Sequence, residues 1–246
     1  MKNIQYFAYC KLLLFCILVS ACERAPVPVD SIATAAYYQS PALLEQAWQL
    51  PVARTYPNPI EYQINGAFCG PAAAVNLLRS VGVGRRDQES LFDKADVSRW
   101  KARFMGLTLD ELAGLIRANG APDVTVLRDL SPEEFRAHLR RANDPAYRYL
   151  VNFDRRPLFG VSIGHHSPLG GYLADSDLVF VLDVLDEYKP FLVPADRLYA
   201  AMDTPDSETG KKRGLLLVRA AASPAASPAE APEAVGEPAP RARVAP

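Results

Sequence analysis

The spacing of apolar residues changes near residue 149, from helical repeats to the short runs that are typical of strands. Helices are predicted at Leu43–Leu50, from Cys69 to Gly82, after the capping boxes that begin at Thr108 and Ser131, and at Pro194–Met202. Strands are predicted at Val124–Leu127, Tyr149–Phe153, Val161–Ile163, Gly171–Ala174, Leu178–Val184 and Gly214–Val218. Helices followed by an antiparallel sheet predict the α+β class rather than alternating βαβ units.

Two further residues are placed by this pattern. The segment 85–103 is charged and mixed, and we expect its large apolar Trp100 to cover the core. His138 lies among arginines in the helix after Ser131 and is interpreted as a solvated or edge histidine.

The pattern divides the chain into four segments. Residues 1–21 are predicted to be a lipoprotein signal peptide, and residues 22–36 a tether. Residues 37–219 form the predicted domain. The Ala- and Pro-rich segment 220–246 has almost nothing to bury, so we expect it to be disordered.

The predicted signal peptide ends in Val19-Ser20-Ala21-Cys22, after an apolar run that is short for a membrane span. This ending resembles the lipobox of bacterial lipoproteins, in which cleavage precedes the cysteine and the cysteine is then acylated. The resemblance makes Cys22 the lipidation site of a periplasm-facing lipoprotein of the bacterial cell envelope, expected in the outer membrane. A plain secretory signal or a membrane anchor helix is the alternative.

Charge and cysteine count narrow the possible functions. The 246-residue chain has a net charge of -1 and no long basic run, so nucleic acid is not an expected partner. Cys10 and Cys16 would leave with the signal peptide, and Cys22 would carry lipid. Cys69 would then be the one thiol of the mature chain, which favours a chemical role for it.

Cys69 lies where a loop of small residues meets an apolar helix, in Gly66-Ala67-Phe68-Cys69-Gly70-Pro71. The free N–H groups and the dipole at a helix start stabilise a thiolate over a thiol. Such a thiolate is a candidate nucleophile when a base lies near it. The alternative is a buried structural cysteine, the commoner fate of a free cysteine.

Two adjacent histidines, His165 and His166, are the candidate bases. Adjacent side chains of a strand point to opposite faces, so only one of them can serve a given site. Asp183 lies on the returning strand of the predicted hairpin and can orient such a base through its second imidazole N–H. The alternatives are a polar sheet edge, or a metal site formed with Asp186 and Glu187.

The register of that hairpin bears on the pairing. If 174 pairs with 178, the partners of both histidines lie a few residues beyond Asp183. A bulge at Gly170-Gly171 or Ser167-Pro168 would shorten the gap.

Gln63 precedes Cys69 by six residues (69 − 63 = 6). Its amide can point at the oxyanion that forms when a thiolate attacks a carbonyl, with the Cys69 backbone N–H as the second donor. A glutamine ahead of a cysteine that opens a helix is the order of papain-like cysteine proteases.

Several motifs in order resemble the catalytic half of the phytochelatin synthases, which are papain-fold transpeptidases that act on glutathione. They lie between about Tyr38 and Val218 and comprise Tyr38-Gln39-Ser40-Pro41, Gln63 with Phe68-Cys69-Gly70, Gly164-His165-X-Ser167-Pro168, Val181-Leu182-Asp183-Val184, and Thr209-Gly210-Lys211-Lys212-Arg213-Gly214. The resemblance implies a papain-like fold in which a helical part carrying the cysteine packs on an antiparallel sheet carrying histidine and aspartate.

The same resemblance assigns roles. It makes Cys69 the nucleophile, His165 the base and Asp183 the orienting acid, and it implies transfer of γ-glutamylcysteine from glutathione to a second glutathione. An arginine of the family's acceptor side is absent after Asp183, which favours release of γ-glutamylcysteine by hydrolysis as the alternative. A glutathione-binding lipoprotein without catalysis is the alternative from another class.

The resemblance also bears on substrate and metal. The γ-glutamyl end of glutathione carries both charges, and Gly164, Asp206, Lys212 and Arg213 are the candidate substrate-binding residues, with solvated loop charges as the alternative. No cofactor or resident metal is expected. Cadmium or zinc is expected to act, weakly, as glutathione thiolate complexes, because the family's cysteine-rich second half has no counterpart here.

Overall fold

The computed structural model describes residues 31–84, 86–121 and 123–220. The predicted signal peptide, the lipidation site Cys22, most of the tether and the predicted disordered tail lie outside these residues. Seven α-helices occur in the described part of the chain, namely α1 (Pro41–Trp48), α2 (Cys69–Ser80), α3 (Arg99–Met105), α4 (Leu109–Ala118), α5 (Pro132–Arg141), α6 (Arg156–Phe159) and α7 (Ala195–Met202).

Six strands form one sheet in the order β1-β6-β2-β3-β4-β5, and every neighbouring pair is antiparallel. They are β1 (Val124–Leu127), β2 (Tyr147–Asp154), β3 (Gly164–Leu173), β4 (Leu178–Val181), β5 (Phe191–Pro194) and β6 (Gly214–Arg219). The predicted α+β class is therefore confirmed.

The sheet separates two hydrophobic cores because successive residues of a strand point to opposite faces. On β4, Phe180 packs in the core that contains α2 and α4, whereas Val179 and Val181 pack in the core that contains α5, α6 and α7. Helix α2 lies directly on β3. This packing brings the start of α2 against the strand that begins with Gly164 and His165.

The local signals for α4 and α5 are confirmed. Thr108 and Ser131 cap these helices, and in each case the carboxylate of a glutamate three residues later, Glu111 or Glu134, accepts a hydrogen bond from the backbone N–H of the cap residue. Each capping box satisfies two backbone donors that the first helical turn would leave unpaired.

Three predictions for single elements are wrong. Val161–Ile163 is an exposed loop rather than a strand, and β3 begins only at Gly164. Strand β4 ends at Val181, and Asp183 instead accepts a hydrogen bond from the backbone N–H of Leu185 in a turn. Trp100 does not cover the core, because Ala102 is the buried residue of α3 and Trp100 is 73% exposed.

The β3–β4 hairpin contains the bulge that the histidine–aspartate pairing requires. Leu173 pairs with Leu178, Leu169 pairs with Val181, and the register shifts between Leu169 and Gly171. A Cβ atom on Gly170 would lie 2.5 Å from the Phe180 ring, so a larger residue here would require the ring or the strand to shift. The shift moves β3 towards the end of β4 and lets His165 reach Asp183.

In the described ranges, no helix combines the length and the apolar character needed to cross a bilayer.

Candidate active site

Cys69 is the first residue of α2, lines a pocket and is only 7% exposed. Burial raises the pKa of its thiol, but a hydrogen bond to His165, the charge of His165, a backbone hydrogen bond from His166 and the charge of Arg155 outweigh burial. The pKa of Cys69 therefore lies below its ordinary value. The thiolate form, which is the nucleophilic one, is favoured here.

His165 links the thiol to Asp183. Its Nε2–H donates to Asp183 Oδ1 at 3.0 Å, and both side chains are buried. The Nδ1 nitrogen is then the one that faces Cys69. Burial lowers the pKa of His165, but the Asp183 carboxylate more than offsets this, so the pKa is raised. Opposite shifts of a thiol and an imidazole in contact favour a thiolate–imidazolium pair.

Asp183 is held in its ionised form by a residue that the sequence did not identify. Arg155 Nη2 donates to both carboxylate oxygens of Asp183, at 2.9 and 2.8 Å. Burial raises the pKa of Asp183, whereas His165, Arg155 and the Leu185 N–H lower it, and the result lies below the ordinary value. Arg155 directly follows β2 and stands next to the exposed Arg156, so no sequence signal distinguishes the two arginines.

Arg155 is itself fixed by aromatic contacts. Its guanidinium carbon lies 3.8 Å from the centre of the Tyr188 ring. The carbonyl of Tyr188 accepts hydrogen bonds from Tyr38 Oη at 3.2 Å and Gln39 Nε2 at 2.7 Å. The Tyr38-Gln39 motif therefore supports the site indirectly. Its hydrogen bonds hold Tyr188, and the Tyr188 ring lies against the guanidinium of Arg155.

Gln63 lies beside the site, and its amide has a partner within its own loop. Its Nε2 donates to the Asn65 carbonyl at 2.8 Å, and its buried Oε1 has no partner. The backbone N–H of Gln63 donates to the Val184 carbonyl at 2.8 Å, which ties the cysteine loop to the residue after Asp183. The proposed role of Gln63 as an oxyanion donor stays a prediction.

His166 points to the opposite face of β3 from His165 and is held as a neutral ring. Its Nε2–H donates to the Leu107 carbonyl at 2.8 Å, and Asn152 Nδ2 lies 3.2 Å from its Nδ1. Burial lowers the pKa of His166 to about 4. As the geometry of a strand requires, the two rings point to opposite faces. The His165 ring contacts the Cys69 thiol, and the His166 ring lines the pocket.

His138 is half-buried, and its Nδ1 lies 3.0 Å from the hydroxyl of Tyr149, away from the thiol. This agrees with the interpretation of His138 as an edge histidine.

The pocket above Cys69 has a volume of about 470 Å³ and a polar wall. Arg213 Nη1 donates to Asn152 Oδ1 at 2.8 Å and to Asp206 Oδ2 at 3.1 Å, and its buried Nε has no partner. A Cβ atom at Gly164 would lie 2.5 Å from Arg213 Nη1, so the glycine leaves room for the guanidinium. Gly164, Asp206 and Arg213 all line this pocket with Cys69.

Lys212 is not brought to the pocket. Its ammonium pairs with Asp203 at 2.5 Å, and its side chain is 43% exposed. Of the charged residues predicted to bind the γ-glutamyl end, Asp206 and Arg213 therefore line the pocket, whereas Lys212 lies at the surface. Lys212 and Arg213 precede β6, and their side chains have different partners, Asp203 for Lys212 and Asn152 with Asp206 for Arg213.

The two histidines converge on no metal-binding cluster. No group of three or more His, Cys, Asp or Glu side chains converges in residues 31–84, 86–121 and 123–220. Both histidine rings have the protein partners described above.

A buried cysteine at a helix start, a histidine on its thiol and a carboxylate on that histidine define a site for nucleophilic acyl transfer. A model of the phytochelatin synthase family matches residues 22–215 of the chain. The chain therefore belongs to the phytochelatin synthase family.

Curated relatives support the same assignment. Glutathione gamma-glutamylcysteinyltransferase 1 of Triticum aestivum is 30% identical over 215 residues, which are 81% of this chain and 43% of the relative. Glutathione gamma-glutamylcysteinyltransferase 3 of Lotus japonicus is 32% identical over 169 residues, which are 63% of this chain and 35% of the relative. The chain spans less than half the length of these two relatives.

Among solved structures, the peptidase domain of Streptococcus ComA resembles the chain with a TM-score of 0.45 at 15% identity, over 65% of this chain and 96% of that domain. A double glycine motif protease from an AMS/PCAT transporter gives a TM-score of 0.44 at 14% identity, over 66% and 91%. Likeness at this level adds nothing to the family assignment.

Proposed function

We propose that this protein is a thiol acyl-transfer enzyme that removes glycine from glutathione through a γ-glutamylcysteinyl thioester on Cys69. The contact chain Cys69–His165–Asp183 carries this proposal, together with the lowered pKa of the thiol and the raised pKa of the imidazole. The names of the curated relatives supply the substrate class.

In the first half-reaction, the Cys69 sulfur attacks the carbonyl between cysteine and glycine of the substrate. The S–C bond forms, the C–N bond to glycine breaks, and the His165 imidazolium gives its proton to the departing amine. Asp183 keeps the ring of His165 oriented, and Arg155 keeps Asp183 ionised.

The oxyanion of the tetrahedral intermediate would be stabilised at the start of α2. The Cys69 backbone N–H is one donor, because the first N–H groups of a helix have no partner within the helix. Gln63 is the second donor, after its amide turns from the Asn65 carbonyl to the substrate.

The γ-glutamyl end would bind on the polar wall of the pocket. Asp206 suits the ammonium group of the substrate, and Arg213 suits its carboxylate, with Gly164 providing the space for the guanidinium. The remaining candidate, Lys212, is proposed only as a charge at the approach to the pocket.

The second half-reaction has two possible acceptors. The amine of a second glutathione gives a longer γ-glutamylcysteine peptide, whereas water gives free γ-glutamylcysteine. We favour a large share of hydrolysis, because the sequence lacks the arginine expected on the acceptor side. Cadmium or zinc would act as a thiolate complex of the acceptor, and no resident metal or cofactor is proposed.

Product analysis tests this proposal. The purified chain is incubated with glutathione, with and without cadmium, and glycine, γ-glutamylcysteine and its oligomers are separated by chromatography and mass spectrometry. Release of one glycine per glutathione consumed in hydrolysis, or of one glycine per two glutathiones consumed in dimer formation, supports the enzyme. Predominant dimers and trimers would contradict the hydrolase version, and predominant γ-glutamylcysteine would contradict the synthase version.

The same experiment addresses the alternative of a binding lipoprotein without catalysis. Glutathione binding by calorimetry without any glycine release would favour that alternative and contradict the enzyme. The relatives' names and the filled catalytic positions favour the enzyme.

We further propose that the chain is a lipoprotein of the bacterial envelope, anchored through Cys22 and facing the periplasm from the outer membrane. The sequence Val19-Ser20-Ala21-Cys22 supports this location. Mass analysis of the N-terminal peptide tests it, since cleavage before Cys22 abolishes the peptide that begins at Met1 and acylation adds the mass of fatty acyl groups to Cys22.

A further inference from the structure

The large apolar side chains that the described residues expose come from three segments, each of which contributes residues to the pocket above Cys69. They are Ile64, Trp100, Phe104, Met105, Val161 and Ile163, which we call the apolar rim. Their exposed fractions run from 44% for Val161 to 73% for Trp100. Single exposed apolar residues are normal on a soluble surface, but their concentration at one place marks an interaction surface.

Three separate segments supply the apolar rim. Helix α3 contributes Trp100, Phe104 and Met105, and the loop between α6 and β3 contributes Val161 and Ile163. Ile64 lies in the cysteine loop, two residues before Gly66. Phe104, Met105, Ile163 and Gly66 line the pocket above Cys69. The apolar rim therefore borders the pocket through the exposed side chains Phe104, Met105 and Ile163.

The described chain begins beside this rim. The turn Ile32–Thr34 packs against α6 (Arg156–Phe159), and Val161 follows α6 after one residue. Ser31 is nine positions after Cys22 (31 − 22 = 9), so the proposed lipid on Cys22 lies at most about 30 Å from this point. A domain of this size is about 40 Å across, so the anchor holds this side of the domain near the bilayer.

The basic residues of α3 are already paired within the protein. Lys101 binds Glu111 and Glu208 at 2.6 Å, Arg103 binds Glu89 at 2.7 Å, and Arg99 pairs with Asp93. Attraction of these cations to anionic headgroups would therefore add little to the binding of a lipid surface. Any contact made by the rim is mainly apolar. A pair of exposed aromatic rings in contact, Trp100 and Phe104, suits the interface between headgroups and acyl chains.

We propose that the apolar rim docks on the lipid bilayer, so that the pocket of the anchored protein opens at the membrane surface. This inference rests on the lipid anchor that is proposed at Cys22, and it is independent of which acceptor ends the reaction. Binding to the bilayer through the rim adds a second contact to the lipid chain, and the two together orient the domain.

Tryptophan fluorescence tests this docking. The chain has two tryptophans, and Trp48 packs against Phe180, so a Trp48→Phe variant leaves Trp100 as the one emitter. The full chain is expressed with its own signal peptide, purified in detergent and reconstituted into phosphatidylcholine vesicles with and without brominated acyl chains. We expect brominated lipid to remove about half or more of the Trp100 emission, because interfacial groups lie roughly 5–10 Å deep.

Two variants and one change of lipid sharpen the result. Val161→Asp with Ile163→Asp should reduce the quenching of Trp100 several-fold, since the loop beside α3 would then resist burial. Ala137→Asp, which adds charge on exposed α5, should leave the quenching unchanged. Replacing a third of the lipid by an anionic lipid should change the quenching little, because the cations of α3 are already paired.

Each outcome distinguishes the underlying proposals. An acylated Cys22 together with unquenched Trp100 would overturn the docking but leave the anchor. Quenching that is equal in the Asp variants would also overturn it, as would a dimer in sedimentation that shields Trp100 from brominated lipid. A Cys22 peptide without lipid would overturn the anchor and the docking together, whereas glycine release from glutathione would still support the enzyme.

Discussion

At the scale of single residues, the reactivity of the site depends on a charge that lies three contacts away from the thiol. Arg155 touches Asp183, Asp183 touches His165, and His165 touches Cys69. The motifs indicated the last three of these residues. No motif indicated Arg155. The sequence alone does not show which of the adjacent arginines, Arg155 or Arg156, the fold buries.

Replacing Arg155 by methionine should raise the pKa values of both Asp183 and Cys69, because Arg155 lowers both. The rate of thiol alkylation by iodoacetamide, followed against pH, should shift its midpoint upward by about one unit. Stability should fall by about 3 kcal/mol, since a buried carboxylate loses its cation. Arg156→Met is the matched control, and equal alkylation profiles for the two variants would refute a positioning role.

Gly164→Ala tests whether Arg213 recognises the substrate. The added methyl would lie 2.5 Å from Arg213 Nη1 and would displace the guanidinium from the pocket wall. We expect KM for glutathione to rise about tenfold, in line with the loss of one charged hydrogen bond, and thiol alkylation to change little. Gly114→Ala, where a Cβ meets open space, is the control. An unchanged KM would remove Arg213 from the binding site.

His166 should make the fold sensitive to acid. The folded ring titrates near a pKa of about 4 and an unfolded histidine near 6.5, so the unfolded state takes up a proton first as the pH falls. Stability is therefore lost between these values, by about 3 kcal/mol from this residue. His166→Phe should lower stability at neutral pH, because the Leu107 carbonyl loses its donor, and should flatten the acid dependence. Urea unfolding at several pH values measures both, and an equally steep dependence in the variant would contradict the assignment.

At the scale of elements, the sequence predicted the features that local chemistry determines and missed those that depend on tertiary packing. The capping boxes at Thr108 and Ser131 were sufficient to locate α4 and α5. Helix α3 was missed because its large apolar residues face solvent, so its pattern contradicts the usual amphipathic one. The strand prediction for residues 161–163 failed because Val161 and Ile163 have the apolar, β-branched side chains of a buried strand, although both are exposed in this loop.

The bulge at Gly170 is the element on which the alignment of His165 with Asp183 depends. Gly170→Ala should force the Phe180 ring aside or shift the register of β3 on β4. We expect a loss of about 1–3 kcal/mol from overpacking and a lower fraction of thiolate at neutral pH. Thermal unfolding and alkylation measure the two effects. Gly170→Ala combined with Phe180→Leu should recover part of both, and a single variant that behaves as the unmodified protein would contradict the role of the bulge.

At the scale of the whole molecule, the family model matches nearly all of the domain. The curated relatives of the chain are more than twice as long as the part of them that the chain matches. The sequence could predict the α+β class and the family, because ordered motifs recur across the chain. The position of the apolar rim beside the pocket could not be predicted, since it joins three segments that are far apart in the sequence.

The central claim is that Cys69 becomes an acyl carrier, and the mass of the intact protein tests it most directly. The chain is mixed with glutathione, stopped with acid within the first turnover and analysed, with tandem fragmentation to place any adduct. The account predicts one γ-glutamylcysteinyl group on Cys69, one glycine released per adduct, and neither with Cys69→Ala. Glycine release from the Cys69→Ala variant, or an adduct on another residue, would contradict it.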